Sequence, residues 1–398
     1  MPDLPFLYHA IVLGFLLLAL LTVLANLACF GGLRAHRHDA DAPLVSVLIP
    51  ARNEALNIEA CVKSLLAQDY PFYEVIVLDD NSEDETPQLL QGLGMSETGT
   101  ISRMIRGRPL PEGWTGKGWA CHQLAQEARG QYFFFTDADT EHEPGALSAL
   151  VAYAQKHRTD LLSAWPRLVT KTLGEKLVVP MIVFAAMAAY PHWLLRLVLR
   201  YPSLAAKSPT KHRRMLGAAN GQSMFFTRVG YFRIGGHEAE RSHLVEDVAL
   251  GRAVASRLDE GMRVLNCDGL HFSRCRMYRR FPEVWEGFTK NLRAVFETSL
   301  SGFMIMGVVQ FCCYFLPILL LVLPVEHKGL IVWQVVIIYA IRALVTWRFQ
   351  TSWLGCLLHP MGVLVSMGIG LNSWRKSAGS GVSWKGRTYA VTTPKHSL

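Results

Sequence analysis

The sequence is poor in charged residues and lacks the short motifs that assign several common chemistries. Lys, Arg, Asp and Glu make up 18% of its 398 residues, whereas hydrophobic residues make up 51%. Such a composition is unusual for a soluble enzyme and predicts membrane segments. Its eight cysteines include no C-x-x-C pair, so neither a zinc site nor a disulfide framework is predicted. No HExxH, G-x-S-x-G or dinucleotide-binding G-x-G-x-x-G context is present.

The formal net charge of +8 does not follow a nucleic-acid pattern. Basic residues are not interleaved with aromatic ones, so no nucleic-acid partner is predicted, and no feature indicates a protein partner. Several basic residues instead flank apolar segments: Arg34, His36, Arg37, Lys207, Lys211, Arg213, Arg214, Arg375 and Lys376. This placement suits contact with anionic lipid headgroups, and simple solvation of each cluster is the alternative.

Long apolar runs lie at both ends of the chain. The run Leu7–Phe30 has no Lys, Arg, Asp or Glu and is long enough to span a bilayer. A secretory signal is the alternative, but no Lys or Arg precedes the run and no clear cleavage site follows it. We therefore predict a transmembrane anchor at 1–35, a C-terminal transmembrane cluster at 301–371 and a basic tail at 372–398. The runs of the cluster are Phe303–Pro324, Leu330–Trp347 and Trp353–Leu371.

The charges beside the first run predict its orientation. Arg34 and Arg37 follow it and Asp3 precedes it, which places the following domain in the cytoplasm. Three late spans would then put the basic tail outside, although its charge favours the inside. Trp353–Leu371, which His359-Pro360 interrupts, could instead be re-entrant, and the sequence leaves both arrangements open.

The region between the membrane segments follows a strand–helix pattern. Val45–Ile49, Glu74–Leu78 and Tyr132–Thr136 are apolar runs of strand length, and we expect the first to stop at Pro50. The apolar residues of Asn57–Leu66 share one helical face. Apolar strands with helical crossovers predict an α/β fold with a mostly parallel, buried sheet flanked by helices.

Each of these strands ends in polar residues: Pro50-Ala-Arg52-Asn-Glu54, Asp79-Asp80-Asn81 and Asp137-Ala-Asp139. Open α/β sheets bind ligands beyond the carboxyl ends of their strands. The three ends therefore predict one acidic crevice.

Asp137 and Asp139 are the candidate metal ligands. Carboxylates one residue apart can hold Mg²⁺ or Mn²⁺, which would stabilise a departing diphosphate. A lone D-x-D is more often a turn, but two similar strand ends beside it favour the metal site. Asp79 and Asp80 could accept hydrogen bonds from a base or ribose.

Arg52, Asn53 and Glu54 could frame the same nucleotide. A strand-to-helix turn, with Asn57 as helix cap, is the alternative for that segment.

Two further segments carry candidate polar groups. Glu246 and Asp247 are predicted at a helix N-terminus, where dipole complementarity is the plainer interpretation and a general base the functional one. Lys117 lies in Gly113–Trp119, a predicted flexible loop that is not a Walker A sequence, and could reach a phosphate. Its two tryptophans could stack on a sugar or base, or pack structurally.

Leu177–Leu199 is apolar enough to suggest another span. A single crossing would put Asp137 and Asp247 on opposite sides of the membrane, where they could not form one site. We therefore predict an interfacial membrane helix within 177–214, broken at Pro180 and Pro191, with Arg196 and Arg200 toward the headgroups. A helix buried inside the domain is the alternative.

Four ordered motifs resemble those of family 2 glycosyltransferases: VSVLIPARNE at 45–54, VLDDNSEDET at 77–86, TDAD at 136–139 and ED at 246–247. The resemblance covers residues 43–300 and implies a GT-A catalytic domain, an inverting single displacement, a divalent metal and a nucleotide-sugar donor, with a UDP-sugar favoured. It implies that Glu54 and Asp79 hold the nucleotide, that Asp137 and Asp139 serve diphosphate and metal, and that Asp247 is the base. The full set of predicted donor-binding residues is Pro50, Arg52, Glu54, Asp79, Asp80, Lys117 and Asp137, with Glu246 beside the base.

Segments 113–120, 276–291 and 381–389 are similar to the family branch that acts on hopanoid and carotenoid lipids. The Q-x-x-R-W signature of processive synthases is missing, and Arg279-Arg280-Phe281 stands near its place. The resemblance thus implies transfer of a single sugar to a lipid at the cytoplasmic face of the inner membrane by a multi-pass protein.

The alternatives are a polyprenyl-phosphate or polysaccharide glycosyltransferase, a nucleotidyltransferase, and a non-catalytic membrane scaffold or transporter. A nucleotidyltransferase would normally carry a Gly-rich basic loop after its first strand. A transporter would place ionisable groups within its spans, where only Arg342 clearly lies.

Overall fold

The computed structural model describes residues 3–37, 41–296, 300–378, 382–384 and 387–389. Contacts within the chain divide it into two units. The helical unit comprises Met1–Cys29, Leu168–Trp193 and Tyr278–Leu398, and the sheet unit comprises Phe30–Arg167 and Leu194–Met277. The sheet unit is thus smaller than the predicted 43–300 domain, because 168–193 and 278–300 group with the apolar helices.

The strands of the central sheet are β1 Val45–Ala51, β2 Tyr73–Asp79, β3 Ser102–Arg106, β4 Tyr132–Phe135, β6 Leu161–Trp165, β8 Met224–Thr227 and β9 Val264–Asp268. The remaining short strands are β5 Thr140–His142, β7 Arg167–Leu168, β10 Ser273–Cys275, β11 Val382–Trp384 and β12 Arg387–Tyr389.

The helices of the sheet unit are α2 Ile58–Leu66, α3 Thr86–Gly92, α4 Gly116–Glu127, α5 Ala146–His157, α9 Pro202–Lys207, α10 Thr210–Met215, α11 Arg228–Arg233, α12 Gly236–Ala239 and α13 Glu246–Ala255. Those of the helical unit are α1 Leu4–Cys29, α6 Leu173–Val178, α7 Pro180–Ala189, α14 Phe281–Phe296, α15 Leu300–Tyr314, α16 Leu316–Val322, α17 Lys328–Arg348, α18 Trp353–Leu357 and α19 His359–Ala378. Helix α8, His192–Arg200, begins in the helical unit and continues into the sheet unit.

The central sheet has seven strands in the order β3-β2-β1-β4-β8-β6-β9. Strand β8 runs antiparallel to β4 and β6, and the other pairs are parallel. The predicted α/β fold with a mostly parallel sheet is therefore confirmed. The three strands with acidic ends, β2, β1 and β4, are neighbours in this order.

Side chains of the sheet alternate between two buried clusters. Val47 and Ile49 of β1 pack with Ile58 of α2 on one face, whereas Leu48 packs with Leu124 of α4 on the other. Because both faces are covered, the strands read as continuous apolar runs. Polar groups of these strands are therefore left to the strand ends.

Strand β1 continues two residues further than predicted, through Pro50 to Ala51. It pairs with β4 only as far as Leu48, while its pairing with β2 extends to Ala51 opposite Asp79. Pro50 has no N–H to donate, and it stands where β1 no longer has β4 beside it. Its ring therefore fits a position that would be excluded in a fully paired central strand.

The predicted break at Pro191 is confirmed, since α7 ends at Ala189 and α8 begins at His192. At Pro180, α6 ends at Val178 and α7 begins at Pro180, but Val179 between them has a helical backbone, so the chain does not leave the helix there. In the sheet unit, Leu195 and Val198 of α8 are buried in the core. Arg196 donates to the hydroxyl of Tyr153 at 2.7 Å, so the prediction that it points to headgroups is wrong. Arg200 is exposed.

Within the described residues, three helices are long and apolar enough to cross a membrane: Leu4–Cys29, Leu300–Val322 and Lys328–Arg348. The number becomes four if the bent pair Leu173–Ala189 and His192–Arg200 counts as one span. The predicted run Trp353–Leu371 is not among them, and it is divided into α18 and α19 at Leu358, next to the predicted His359-Pro360 interruption. Most of the predicted basic tail lies outside the described residues.

Asn26 of α1 meets the free backbone groups at the end of α7. Its Nδ2 donates to the carbonyls of Met187 and Tyr190 at 2.8 and 2.7 Å, and its Oδ1 accepts from the N–H of Trp193 at 3.0 Å. The side chain is completely buried. A helix break inside an apolar bundle needs such partners, because buried backbone groups without hydrogen bonds are costly.

We expect Asn26→Leu to lower the thermal stability of the purified protein. The change leaves one buried and two partly buried backbone groups without this partner, at up to about 1–3 kcal/mol for the buried one and less for the others. Thermal unfolding in detergent measures the effect. Thr22→Val on the same helix is the control, because the Thr22 hydroxyl bonds only the nearby Leu18 carbonyl. Equal melting temperatures for the two variants would contradict this role of Asn26.

Candidate functional site

The polar loops after β1 and β2 lie side by side. The Asp80 N–H donates to the Ala51 carbonyl at 2.8 Å. Nη1 of Arg52 donates to the carbonyls of Asp80 and Asn81 at 2.7 and 2.9 Å. Asn53 and Asn81 have left-handed backbone conformations, with φ of 52° and 55°, which asparagine tolerates better than most residues. The two predicted strand ends therefore form one structured edge.

Some carboxylates of this edge already accept hydrogen bonds from groups in their own turns. Asp79 and Asp80 are buried, and Oδ1 of Asp79 accepts from the Ser82 N–H at 3.2 Å. Oε2 of Glu54 accepts from Nδ2 of Asn57 at 3.0 Å. Asn57 stands at the N-cap position of α2, as the alternative interpretation has it, although its side chain makes no capping hydrogen bond. Its amide fixes Glu54 instead.

The D-x-D carboxylates lie near Glu54. Burial raises the pKa of the Cys61 thiol, and the carboxylates of Asp139, Glu54 and Asp137 raise it further. Acidic groups from two strand ends therefore interact electrostatically with one buried thiol of α2. Cys61 Sγ itself lies 3.7 Å from the Asp137 carbonyl oxygen. The carboxylates that follow β1 and β4 are therefore close enough to the same thiol to raise its pKa.

Lys117 is held in the first turn of α4. Thr115 caps this helix, and its Oγ1 accepts from the Gly118 N–H at 3.2 Å. The predicted flexible loop is therefore wrong from Gly116 onward. Lys117 Nζ lies 2.6 Å from Asp137 Oδ1 and 2.9 Å from Glu246 Oε1. Two carboxylates thus offset the unfavourable position of a cation at a helix N-terminus.

Glu246 and Asp247 occupy the first turn of α13, as predicted from the sequence. Oδ2 of Asp247 accepts from the Gly221 N–H at 2.7 Å and Oδ1 accepts from the Val248 N–H at 2.8 Å. Glu246 is buried and faces Lys117. The helix dipole favours both carboxylates, and the contact with Lys117 brings them to the D-x-D strand end.

Charge in this cluster is set by the neighbouring groups. Burial opposes the charge of the Lys117 ammonium, but Asp137 and Glu246 outweigh it and hold its pKa well above the usual value. Burial raises the pKa of Asp247 to about 6, with Glu246 adding to the shift and Lys117 opposing it. Asp247 can therefore exchange a proton near neutral pH, as a general base must.

Asp139 lies beside residues that the sequence did not point to. Its Oδ1 accepts from Thr140 Oγ1 at 3.3 Å and from Cys275 Sγ at 3.4 Å. Cys275 lies opposite Thr140 in the β10–β5 pair and accepts a hydrogen bond from Gln222 Nε2 at 2.9 Å. Burial raises the pKa of Cys275 well above its usual value, as does Asp139, so this group remains a thiol.

The donor set at the D-x-D fits a hard divalent cation. Asp137 and Asp139 are only partly buried, and the Lys117 ammonium already lies against the Asp137 carboxylate. Carboxylate oxygens are ligands that Mg²⁺ and Mn²⁺ prefer, with water and substrate phosphates completing the shell. Among described residues, the group of three possible ligands close together is a different one, Asp3, Glu326 and His327, whose carboxylates are exposed.

The tryptophans near Lys117 pack on one another. The Trp114 and Trp119 ring centroids are 5.0 Å apart, and both rings contact His122. The Arg108 guanidinium lies 5.5 Å from the Trp119 ring. These contacts support the structural interpretation of the tryptophans.

Three comparisons agree with this geometry. Residues 46–196 match the family model Glycosyl transferase family 2. The sequence is 26% identical over 394 residues to 4,4'-diaponeurosporenoate glycosyltransferase of Staphylococcus aureus strain USA300, covering 94% of this chain and 98% of the relative. For the protein of the same name from strain N315 the identity is 27% over 360 residues, with 87% and 88% covered.

The fold is similar to that of the mannosyltransferase PcManGT from Pyrobaculum calidifontis, which was solved with GDP-Man and Mn²⁺. The TM-score is 0.50 at 16% identity, with 94% of this chain and 99% of that chain covered. At this identity the likeness shows the fold alone, and it agrees with the predicted GT-A type. The family-model match over residues 46–196 and the two relatives of the same name identify the chain as an enzyme of the glycosyltransferase class.

Proposed function

We propose that this protein is an inverting, metal-dependent glycosyltransferase that moves one sugar from a nucleotide-sugar to a lipid acceptor at the cytoplasmic face of the inner membrane. The sheet unit is the catalytic domain, and the helical unit is its multi-pass membrane part. The observation that carries the proposal is the connected cluster of Asp137, Lys117 and Glu246, with Asp247 beside it, at the carboxyl end of the sheet.

The acceptor and donor classes are supported by the relatives. The named substrate of the Staphylococcus aureus enzymes is a carotenoid acid, and the similarity extends over 94% of this chain, including its apolar helices. A hopanoid or a similar apolar lipid remains within this class. PcManGT binds a nucleoside diphosphate sugar together with Mn²⁺. We propose Mg²⁺ or Mn²⁺ for this chain too, and a UDP-sugar as the first donor to test.

The donor is proposed to lie across the two loop groups. Pro50, Arg52, Glu54, Asp79 and Asp80 would frame the base and ribose, since they form the structured edge after β1 and β2. The diphosphate would then lie toward the D-x-D strand end.

Two cationic groups are proposed at the diphosphate. Asp137 and Asp139 would hold the metal, which supplies positive charge where the leaving group becomes more negative. Lys117, fixed between Asp137 and Glu246, adds an ammonium next to the same oxygens. Its charge does not depend on pH in the working range, because both carboxylates hold its pKa high.

Asp247 is proposed as the general base. For an acceptor lipid that offers a hydroxyl group, this hydroxyl would transfer its proton to the Asp247 carboxylate while its oxygen attacks the anomeric carbon opposite the diphosphate. The new carbon–oxygen bond forms as the bond to the diphosphate breaks, which inverts the configuration. The Gly221 and Val248 N–H groups fix the orientation of this carboxylate. Glu246 positions Lys117.

Segment 201–215 is proposed to contact lipid headgroups. Tyr201, Leu204 and Met215 are exposed apolar or aromatic side chains on α9, α10 and their flanks. Lys207 and Lys211 are exposed between them. An alternation of basic and apolar groups on one short surface segment suits an anionic interface.

The first test is nucleotide release by the detergent-purified protein. We expect release from one member of a panel of nucleotide-sugars to require Mg²⁺ or Mn²⁺ and to rise with added membrane lipid. Asp139→Ala should lower the rate about 100-fold or more, since the charge on the leaving group is then poorly neutralised. Product mass should show one added sugar.

Glu59→Gln is the control for Asp139→Ala, because Glu59 is an exposed carboxylate of the same unit that pairs only with Lys63. It should behave like the wild type. Metal-independent release, or equal rates for Asp139→Ala and the wild type, would contradict the proposed site.

Asp247→Asn should keep donor affinity and lose transfer by about 10²–10⁴-fold, the usual contribution of a general base. In the wild type, the transfer rate should fall as pH drops below about 6, because the raised pKa leaves Asp247 protonated there. Calorimetric donor titration and a pH–rate profile check both points. A near-normal rate for Asp247→Asn, or a flat profile down to pH 5, would remove Asp247 from the mechanism.

Gly221→Ala should slow transfer about tenfold with little change in stability. An added Cβ would lie 3.0 Å from Lys117 Nζ and 3.2 Å from Asp247 Oδ2, so both groups must shift by a few tenths of an ångström. Small misplacement of reacting groups is enough to reduce a rate by this order. Gly92→Ala is the matched control, because nothing lies within 4 Å of its Cβ position. Equal rates for both variants would show that the backbone at Gly221 does not position the site.

A further inference from the structure

Arg342 is a completely buried cation in α17, one of the helices able to span a membrane. Its Nη1 lies 3.4 Å from the Pro180 carbonyl oxygen. Its Nε and Nη2 are buried without a hydrogen-bond partner, and no ion pair involves it within the described part of the chain. Most of the hydrogen-bonding capacity of the guanidinium is therefore unused.

His359, the first residue of α19, is the second basic group in this region. It is completely buried, and neither of its ring nitrogens has a hydrogen-bond partner among the described residues. Both basic groups lie against the Phe184 ring, with Arg342 Cζ 5.6 Å and the His359 ring 4.9 Å from its centre. The Tyr314 ring centre lies 6.2 Å from that of His359, and Ile338 and Ile341, near Arg342 on α17, are completely buried.

A buried guanidinium without a counter-charge is costly, because its desolvation is not offset by an ion pair. Ionisable groups within membrane spans normally pair with other groups and mark binding sites. One long hydrogen bond to a carbonyl offsets little of this cost. A partner of opposite charge would offset more.

The unused atoms of Arg342 define the shape of that partner. Nε and Nη2 form one edge of the guanidinium plane, with two parallel N–H groups. This edge matches the two oxygens of a carboxylate or phosphate in a bidentate pair. His359 adds a further ring nitrogen that can donate to the same anion.

We propose that Arg342 and His359 form an anion site within the helical unit that binds the carboxylate or phosphate group of a lipid. The apolar residues around the two basic groups would receive the start of the lipid chain. The site goes beyond the proposed transfer reaction, because no step of that reaction uses these residues.

A structural role is the competing explanation. Pro180 begins α7, and the hydrogen bond from Arg342 Nη1 to its carbonyl joins α17 to the first turn of that helix. Arg342 Nη1 could serve only to satisfy the Pro180 carbonyl. If Arg342 has that role, replacing it should change the stability of the protein by the same amount with and without an acidic lipid.

The test compares binding of cis-parinaric acid, a fluorescent polyene carboxylic acid, with binding of its uncharged methyl ester. With delipidated protein in neutral detergent, we expect the acid to bind the wild type at least about tenfold more tightly, as charge-assisted hydrogen bonds would give. Arg342→Met should bind acid and ester equally, and His359→Leu should reduce the preference for the acid.

Arg348→Met is the matched control, since it removes an arginine from the end of the same helix and should keep the full preference for the acid. Equal binding of acid and ester by the wild type would overturn the proposal. An undiminished preference for the acid in Arg342→Met would also overturn it.

Thermal unfolding separates the remaining explanations. We expect the acid to raise the melting temperature of the wild type but not that of Arg342→Met, whose ligand-free melting temperature should be unchanged or higher. A lower ligand-free melting temperature with an unchanged response to the acid would show the structural role instead. Acetate or inorganic phosphate could also raise the melting temperature. If parinaric acid did not displace that bound anion, the site would be one for soluble anions, which would overturn the lipid assignment. These measurements need no sugar donor, so their outcome is independent of the proposed transfer activity.

Discussion

The ammonium group of Lys117, placed between Asp137 and Glu246, is the interaction on which the arrangement of the candidate site depends. It joins three elements, because Lys117 lies in the first turn of α4, Asp137 follows β4 and Glu246 begins α13. Without a cation here, carboxylates from two elements would face each other in a partly desolvated space. Their mutual repulsion would favour their separation. The cation therefore fixes the approach of α13, and with it Asp247, to the end of the sheet.

This concentration of charge follows from the way the sheet is buried. Both faces of β1, β2 and β4 pack in apolar clusters, so a charged side chain along these strands would be desolvated without partners. Beyond the strand ends, turns supply backbone N–H groups and water can reach the carboxylates. Glu74, near the amino end of β2, is the buried acidic exception, and it is paired with Arg103 and Arg129. The other acidic groups of these three strands lie at or beyond the carboxyl ends.

The sequence predicted the parts of the site that depend on local pattern. Apolar runs identified the strands, and the polar residues after them placed Asp79, Asp137 and Asp139 at the carboxyl ends of strands in one sheet. The start of a helix at Glu246 could also be predicted, because acidic residues are favoured in the first turn of a helix.

Contacts between residues that are far apart in the chain could not be predicted from the sequence. Gly221 carries no side chain that could signal its N–H bond to Asp247, and Cys275 looks like an ordinary core residue until its strand is paired beside Asp139. Gly116 and Gly118 suggested a flexible loop, whereas the Thr115 hydroxyl starts a helix there. Arg196 looked like a headgroup ligand because sequence does not show that α8 turns this side chain toward Tyr153.

Buried polar groups need partners in the helical unit as well, and Asn26 and Arg342 differ in how far they have them. At the Pro191 break, Asn26 supplies two donors and one acceptor to three backbone groups, and nothing on its amide is left over. At the start of α7, Arg342 supplies one hydrogen bond to the Pro180 carbonyl and keeps a two-donor edge unused, although an asparagine or glutamine would satisfy one carbonyl without a buried charge. A neutral amide is therefore sufficient for a helix break, whereas a guanidinium brings a charge that one carbonyl does not require. That excess of charge is the reason for assigning Arg342 to a ligand and Asn26 to the fold.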